Sequence, residues 1–369
     1  MSGDILELRQ KSQFIFLGRK DESFKRLVDP DTRTMLIFLT IITIILLLLG
    51  AWRWADHNAD NRAWTRLALH QPSEPRLFDP SMVDGLPDPA RRFFRFAIRP
   101  ETPLYTVAEI TMEGKFGLGS KAEQNYLPMH AEQILAAPHG FVWKLHAGNR
   151  LVRISGSDVA QNANSWSRFW LLGVVPVART GGNANHIRSA FGRYIAEAVL
   201  WTPAALLPSE YVQWDPIDNS TVRVTVTHME LEQAVDLSVD SNGKLSKIVF
   251  QRWSDANALK AFQLQPFGGY LSEYRNFDGF CLPTKIEAGN FFETEEYFAF
   301  FKVNVTRIRF PSTSGDRPAS AMQISKRGQI AHEALGEEVR GIAHKPHRCW
   351  STSQTTKIRV FYYLYKSVC

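Results

Sequence analysis

"NHIRSAFGRYIAEAVLWTPAALLP", residues 185–208, is the one long helical pattern in a chain otherwise rich in strand-like segments, and the architecture hangs on its role. Wound at about 100° per residue, it places His186, Ser189, Arg193 and Glu197 inside an arc of roughly 80°. Tyr194, Ile187, Ala198, Phe191, Ile195 and Val199 cover most of the remaining surface. So narrow a polar stripe has two readings. In one it is the solvated face of an amphipathic helix, with Arg193 and Glu197 as an ordinary i,i+4 pair. In the other the helix plugs the curl of a sheet and holds that pair at the mouth or floor of a cavity. There a charge pair is costly to bury unless it is hydrogen-bonded or meets a ligand. Arg before Glu is the less favourable order on an exposed helix, which speaks against the first.

Segments with two-residue alternation lie on both sides of the helix. Before it come "YTVAEITMEGKFGL" (105–118), "MHAEQILAAP" (129–138), "GFVWKLHA" (140–147) and "NRLVRISGS" (149–157), then "SWSRFWLLGVVPVART" (165–180). The last is interrupted at Pro176, which a central strand would not tolerate. After it come "STVRVTVTHM" (220–229), "EQAVDLSVDSNGKLSKIVFQRW" (232–253), "GYLSEYRNFDGFCLPTKIEAGNFF" (269–292) and "EYFAFFKVNVTRIRF" (296–310). "DSNGK" is the best hairpin signal, because Asn-Gly readily supplies positive φ angles. "LPDPARRFFRFAI" (86–98) opens with Pro and Asp and reads as a short amphipathic helix. Together these predict a mainly β, α+β domain. It is a single long curled antiparallel sheet, a half-barrel, whose concave face is covered by the inserted helix.

A chain of 369 residues with 44% apolar and 12% aromatic residues can bury a large core. Its formal charge of +6 invites a nucleic-acid reading. Residues 1–34 hold seven Lys/Arg against six Asp/Glu and residues 311–369 nine against four, so the two ends carry the whole excess. The neutral centre lacks the electrostatic footprint that phosphate binding needs, and nucleic acid is excluded as a partner. Cys281, Cys349 and Cys369 form no CxxC pair, and Cys281 in an apolar strand reads as an inert packing residue. No G-x-S-x-G elbow, P-loop or H-E-x-x-H is present. "GKFGLG" (114–119) sits in a strand-turn context and reads as a hairpin. "HKPHRC" (344–349) lacks a second pair of ligands, so neither a metal nor a cofactor is expected.

"TMLIFLTIITIILLLLGAW", residues 34–52, carries no charge. At 1.5 Å per residue it spans about 28 Å, close to the hydrocarbon thickness, and it reads as a transmembrane helix rather than a cleaved signal peptide. Seven Lys/Arg precede it, against Arg53, Arg62 and Arg66 in the comparable stretch after it. The N-terminus is therefore expected in the cytoplasm and the large C-terminal part outside it, as a single-pass protein of a bacterial inner membrane facing the periplasm. The expected organisation is a cytoplasmic segment (1–33), the span (34–54), a linker (55–85), the β-rich domain (86–310) and a mostly unordered extension (311–369).

From about residue 86 to 310 the chain resembles a bacterial membrane-anchored family of unknown function. The resemblance rests on Leu86 to Arg92, Phe141 to Trp143, "WLLGVVPV" (170–177), Ser189 to Glu197, Trp201 to Pro208, Arg252-Trp253 and Pro266 to Gly269. It implies no known activity. It does imply a curled half-barrel similar to that of the periplasmic lipoprotein carriers, and with it lipid as the ligand class. The expected function is a membrane-anchored module that binds a lipid or acyl chain, with Ser189, Arg193, Glu197, Arg179, Arg252 and Trp201 as its ligand-binding candidates and Glu273 as a further strand-borne charge. An envelope enzyme using Glu197 as acid or base with Arg193 as anion clamp, and a scaffold whose cavity is filled by its own side chains, stay open as alternatives.

Overall fold

A computed structural model describes residues 30–149 and 152–311. The sequence readings that concern residues 1–29 and 312–369, including "HKPHRC", lie outside them. The chain falls into two compact units, one up to Asp56 and one from His57. Helix α1 (Pro30–Ala68) begins in the first unit and ends in the second; it opens with Pro in its first turn and Asp31 beside it, both suited to a helix N-terminus. Its side chains from Met35 to Leu48 are exposed, and it is long and apolar enough to cross a membrane. Thr40 and Thr43 donate their hydroxyls to the carbonyls of Leu36 and Leu39, both at 2.8 Å, so the run carries no unsatisfied side-chain donor at those positions.

The second unit is built on one 13-stranded antiparallel sheet that does not close. Its strands are β1 (Ala108–Gly119), β2 (Gln124–Ala136), β3 (Gly140–Gly148), β4 (Arg153–Gln161), β5 (Asn164–Leu171), β6 (Val175–Gly181), β7 (Val212–Pro216), β8 (Thr221–His228), β9 (Leu231–Val239), β10 (Leu245–Ser254), β11 (Gln263–Phe277), β12 (Phe280–Asn290) and β13 (Phe298–Arg309). The order is β6-β5-β4-β3-β2-β1-β13-β12-β11-β10-β9-β8-β7. Each half is a meander, and the halves join where β1 pairs with β13. Strands β6 and β7, consecutive in the chain, are thus the two opposite edges. Whatever connects them must cross the sheet, and that connection contains helix α3 (Ala184–Trp201). It packs against β2 to β6 on one side and β9, β10 and β12 on the other, so the sheet curls around it. Phe191, Ile195, Val199 and Trp201 are at most 1% exposed, and they join the inward side chains of both halves in one core. Pro176 lies on the edge strand β6, where a missing N–H is tolerated, and a register shift adjoins its partner Trp170.

Strands β2 to β4 are covered on both faces. Ala131 and Leu135 face the main core, while Ile134, Val142 and Val159 form a second cluster with Ala63 and Leu67 from the end of α1. Trp64 donates its indole N–H to Glu109 (2.9 Å), Asp60 accepts that of Trp166 (2.9 Å), and Lys144 reaches Asn61 (2.7 Å). The stretch 55–85, which reads as a linker, is therefore helical to Ala68, because His57 to Ala68 has an apolar stripe to bury on the outer sheet face. Strand β7 carries no long alternation of its own. It is five residues held by pairing with β8 and by Trp214, whose indole N–H meets the Leu206 carbonyl at 2.9 Å.

Helix α2 (Asp88–Ala97) buries Phe93 and Phe94 and carries Arg92 to the β9–β10 turn. Arg92 donates to the carbonyls of Asp240 and Asn219. The turn is wider than a two-residue hairpin, with Asp240 collecting the N–H groups of Asn242 and Lys244 at 2.9 Å. Gly243 has φ +90°, and a Cβ there would lie 2.0 Å from the Arg92 carbonyl oxygen. Gly243→Ala is expected to destabilise the domain by about 2 kcal/mol or more, through left-handed backbone strain and the loss of this docking. Thermal unfolding checks it, since an unchanged midpoint would mean that the turn does not bear on α2.

Candidate functional site

In register, Gln133 of β2 pairs with Trp143 of β3, Trp143 with Asp158 of β4, and Asp158 with Ser167 of β5. Four adjacent strands thus present one transverse row, and the polar stripe of α3 lies on it. Asn183 caps the helix by accepting the N–H of His186 at 2.9 Å. The His186 ring bridges Ser165 Oγ (2.8 Å from Nδ1) and Ser167 Oγ (3.0 Å from Nε2). Ser167 gives its one proton to Asp158 at 2.7 Å, so it accepts from Nε2–H, and Nδ1 accepts from Ser165. Burial pushes the His186 pKa down, with Asp158 opposing and Arg252 assisting, which agrees with this neutral tautomer.

Arg193 completes the network. Its Nε donates to Glu197 at 2.7 Å and its Nη1 to Asp158 at 2.5 Å, while Gln133 donates to the other Glu197 oxygen at 2.5 Å. The guanidinium lies over Phe141 and Trp143, at 4.7 and 4.9 Å from the ring centroids. Only 15% of the Arg193 side chain, 18% of Glu197 and 4% of Asp158 is exposed. Burial opposes the charge on Arg193, but Glu197 and Asp158 outweigh it and hold the guanidinium's pKa above its ordinary value. The stripe is therefore buried, and it pins α3 to β2, β4 and β5. Asp158, Gln133, Ser165 and Ser167 were not legible as partners. The signal was polar residues at inward positions of otherwise apolar strands, visible only once register is known.

Beyond this network, between α3 and strands β1, β3 and β10 to β13, lies a cavity of about 70 Å³. Its wall is mostly apolar, with Trp143, Leu200, Trp201, Phe250, Phe267 and Phe300 among its residues and Arg193, Glu197 and Arg252 at its polar end. Of the candidates read from sequence, Arg193, Glu197, Trp201 and Arg252 come together here. Arg252 is 3% exposed, with its guanidinium 5.2 Å from the Phe267 centroid. Ser189 is buried on α3 but is not part of the wall. Arg179 sits on edge strand β6 over Trp170 (5.9 Å), and Glu273 is exposed beside Lys285 (2.8 Å); neither lines the cavity. Cys281 is a free, partly buried thiol whose pKa is raised by burial, which keeps it protonated. Among the described residues no group of three His, Cys, Asp or Glu side chains is placed to hold a metal ion.

A second, more open cavity of about 480 Å³ is lined by His70, Glu74, Arg76 and His139. His139 stacks on His70 (centroids 3.9 Å apart) and meets His228 edge-on (5.5 Å). Burial, then repulsion by His70 and His228, pushes the His139 pKa down to about 4. The folded ring thus stays neutral where the unfolded ring, near 6.5, takes up a proton. Below about pH 6.5 the unfolded state binds more protons, and stability falls with pH until the folded ring titrates near 4. His139→Gln is expected to flatten the decline in unfolding midpoint between pH 6.5 and 4. A parallel decline in wild type and variant would remove His139 as its source.

The sequence matches a family of unknown function, DUF6544, over residues 76–303. No curated protein matches the chain. Among solved structures, a LolA superfamily protein from Nitrosomonas europaea is similar at 11% identity and a TM-score of 0.34, over 63% of this chain and 94% of that one. A domain from Vibrio parahaemolyticus described as an outer membrane lipoprotein-sorting protein is similar at 12% identity and 0.32, over 59% and 90%. Likeness at that level bears on neither ligand nor activity.

Proposed function

The chain belongs to the DUF6544 family, whose function is unknown, and we propose that it is a single-pass membrane-anchored protein that holds an acyl chain or lipid in the cavity beneath α3. The observation that carries this reading is an aromatic and aliphatic cavity kept open under a helix that a buried polar network fixes in place. Its volume, about 70 Å³ against the roughly 150 Å³ of an apolar cavity that accepts benzene, has room for the end of a single methylene chain, the remainder of which lies outside it. The apolar helix supplies the anchor. The seven-to-three Lys/Arg bias supports an N-terminus in the cytoplasm and a sheet in the periplasm of a bacterial inner membrane, which alkaline phosphatase fused after Phe310 tests by its activity. In this reading Arg193 holds the cavity floor instead of meeting a head group, because Asp158 and Glu197 already engage it. The enzyme alternative is disfavoured by Glu197, both of whose oxygens accept hydrogen bonds from neighbouring side chains.

Mass spectrometry of the organic extract of the purified full chain is the direct test. Wild type is expected to carry lipid. Ala196→Trp, which adds a ring at a wall position 2% exposed, is expected to lower the lipid per protein several-fold while costing about 1–3 kcal/mol through overpacking. Wild-type protein free of lipid would overturn the reading.

A further inference from the structure

Two indole donors, on residues that line the cavity, have no acceptor among the described residues. The indole N–H groups of Trp143 and Trp201 are buried and make no hydrogen bond among the described residues, although the two side chains are only 2% and 1% exposed. Both rings line the same cavity. A buried N–H left without a partner costs roughly 1–3 kcal/mol, and native proteins seldom leave such groups unmet without cause. The donors lie on different elements, β3 and the last turn of α3, so no single local distortion accounts for both.

The charges around them narrow the acceptor. Arg193 and Arg252 stand with Glu197 at the polar end, and Asp158 is bound to Arg193, so these four formal charges sum to zero. An anionic group entering here would lose its hydration and meet no net positive charge in return. A neutral carbonyl accepts from an N–H without that penalty. Resting on the reading of the cavity as an acyl-chain site, we propose that its ligand is an acyl ester or amide, not a free fatty acid, and that one of the two indole N–H groups, of Trp143 or of Trp201, receives its carbonyl oxygen.

The test uses the full chain held in amphipol, with decane, methyl decanoate and decanoate as probes. Occupancy is read from the methyl NMR signals of Leu200, Ile248, Leu271 and Ile286, all in the wall. Hydrogen bonding is read from the two indole N–H signals, assigned with Trp143→Phe and Trp201→Phe. Decane and methyl decanoate are both expected to shift the methyl signals. Only methyl decanoate should also move an indole proton downfield, and it should bind about five- to tenfold more tightly than decane, the worth of one neutral hydrogen bond. Phe at the responding position should return the ester to the affinity of decane. Indole signals that respond equally to decane and ester, or decanoate binding more tightly than its methyl ester, would overturn the inference while leaving the acyl-chain site intact. If no probe shifts the methyl signals, the acyl-chain reading itself fails. The wild-type indole signals distinguish these outcomes even if a Phe variant folds poorly.

Discussion

Arg193→Met is expected to destabilise the sheet domain by about 3–5 kcal/mol, because it leaves Asp158 and Glu197 buried and facing each other with no cation between them. Met keeps most of the aliphatic stem, so the loss reports on the guanidinium, through its ion pairs and its contact with the Phe141 and Trp143 rings. An exposed i,i+4 pair would be worth under about 1 kcal/mol, which makes the two readings of the helix stripe differ several-fold in one measurement. For a domain of this size each kilocalorie moves the unfolding midpoint by about 2–4 °C. Adding Asp158→Asn and Glu197→Gln to Arg193→Met should recover part of the loss, since the three side chains act as one unit and their effects do not add. If the single variant stays within about half a kilocalorie of wild type, as ordinary surface changes do, the network does not hold α3 in place.

Trp143→Ala is expected to cost a similar amount, about 3–5 kcal/mol, by emptying the centre of the row on which the helix rests. The ring is 2% exposed and packs against Phe116 (centroids 6.1 Å apart), Phe301 (6.3 Å) and the Arg193 guanidinium (4.9 Å). Its removal merges new space with the existing cavity and strips one of the two rings from Arg193. The enlarged cavity should then take an aromatic ligand that the wild type refuses. Benzene at a hundred times its dissociation constant would return about 2.7 kcal/mol. Calorimetric unfolding with and without benzene checks both halves. A variant that unfolds within about 1 kcal/mol of wild type would show that the neighbouring side chains collapse into the gap, and that the wall is soft.

Much of the architecture follows from local pattern. Alternation in "STVRVTVTHM" and its counterparts marks most of the strands, the 3.6-residue period at 185–201 marks α3, and Pro176 marks an edge. The uncharged run at 34–52 marks a helix of membrane-spanning length. These features depend on near neighbours in the chain, and near neighbours are what a sequence displays. The polar stripe itself, His186, Ser189, Arg193 and Glu197, was equally visible. Whether it meets water or protein was not, because burial of a charge depends on groups far away in the chain. Asp158 lies 35 residues from Arg193 and Gln133 64 from Glu197, and only the register of β2, β3, β4 and β5 lines them up beneath the helix. The same limit hid the docking of His57 to Ala68 on the outer sheet face, the short strand β7, and the exclusion of Arg179 and Glu273 from the cavity wall. Periodicity tells which face of each element is apolar. Which faces meet, and what stands unpaired between them, is settled by long-range packing, where the free energy of a buried charge or an unmet donor depends on the whole surrounding shell.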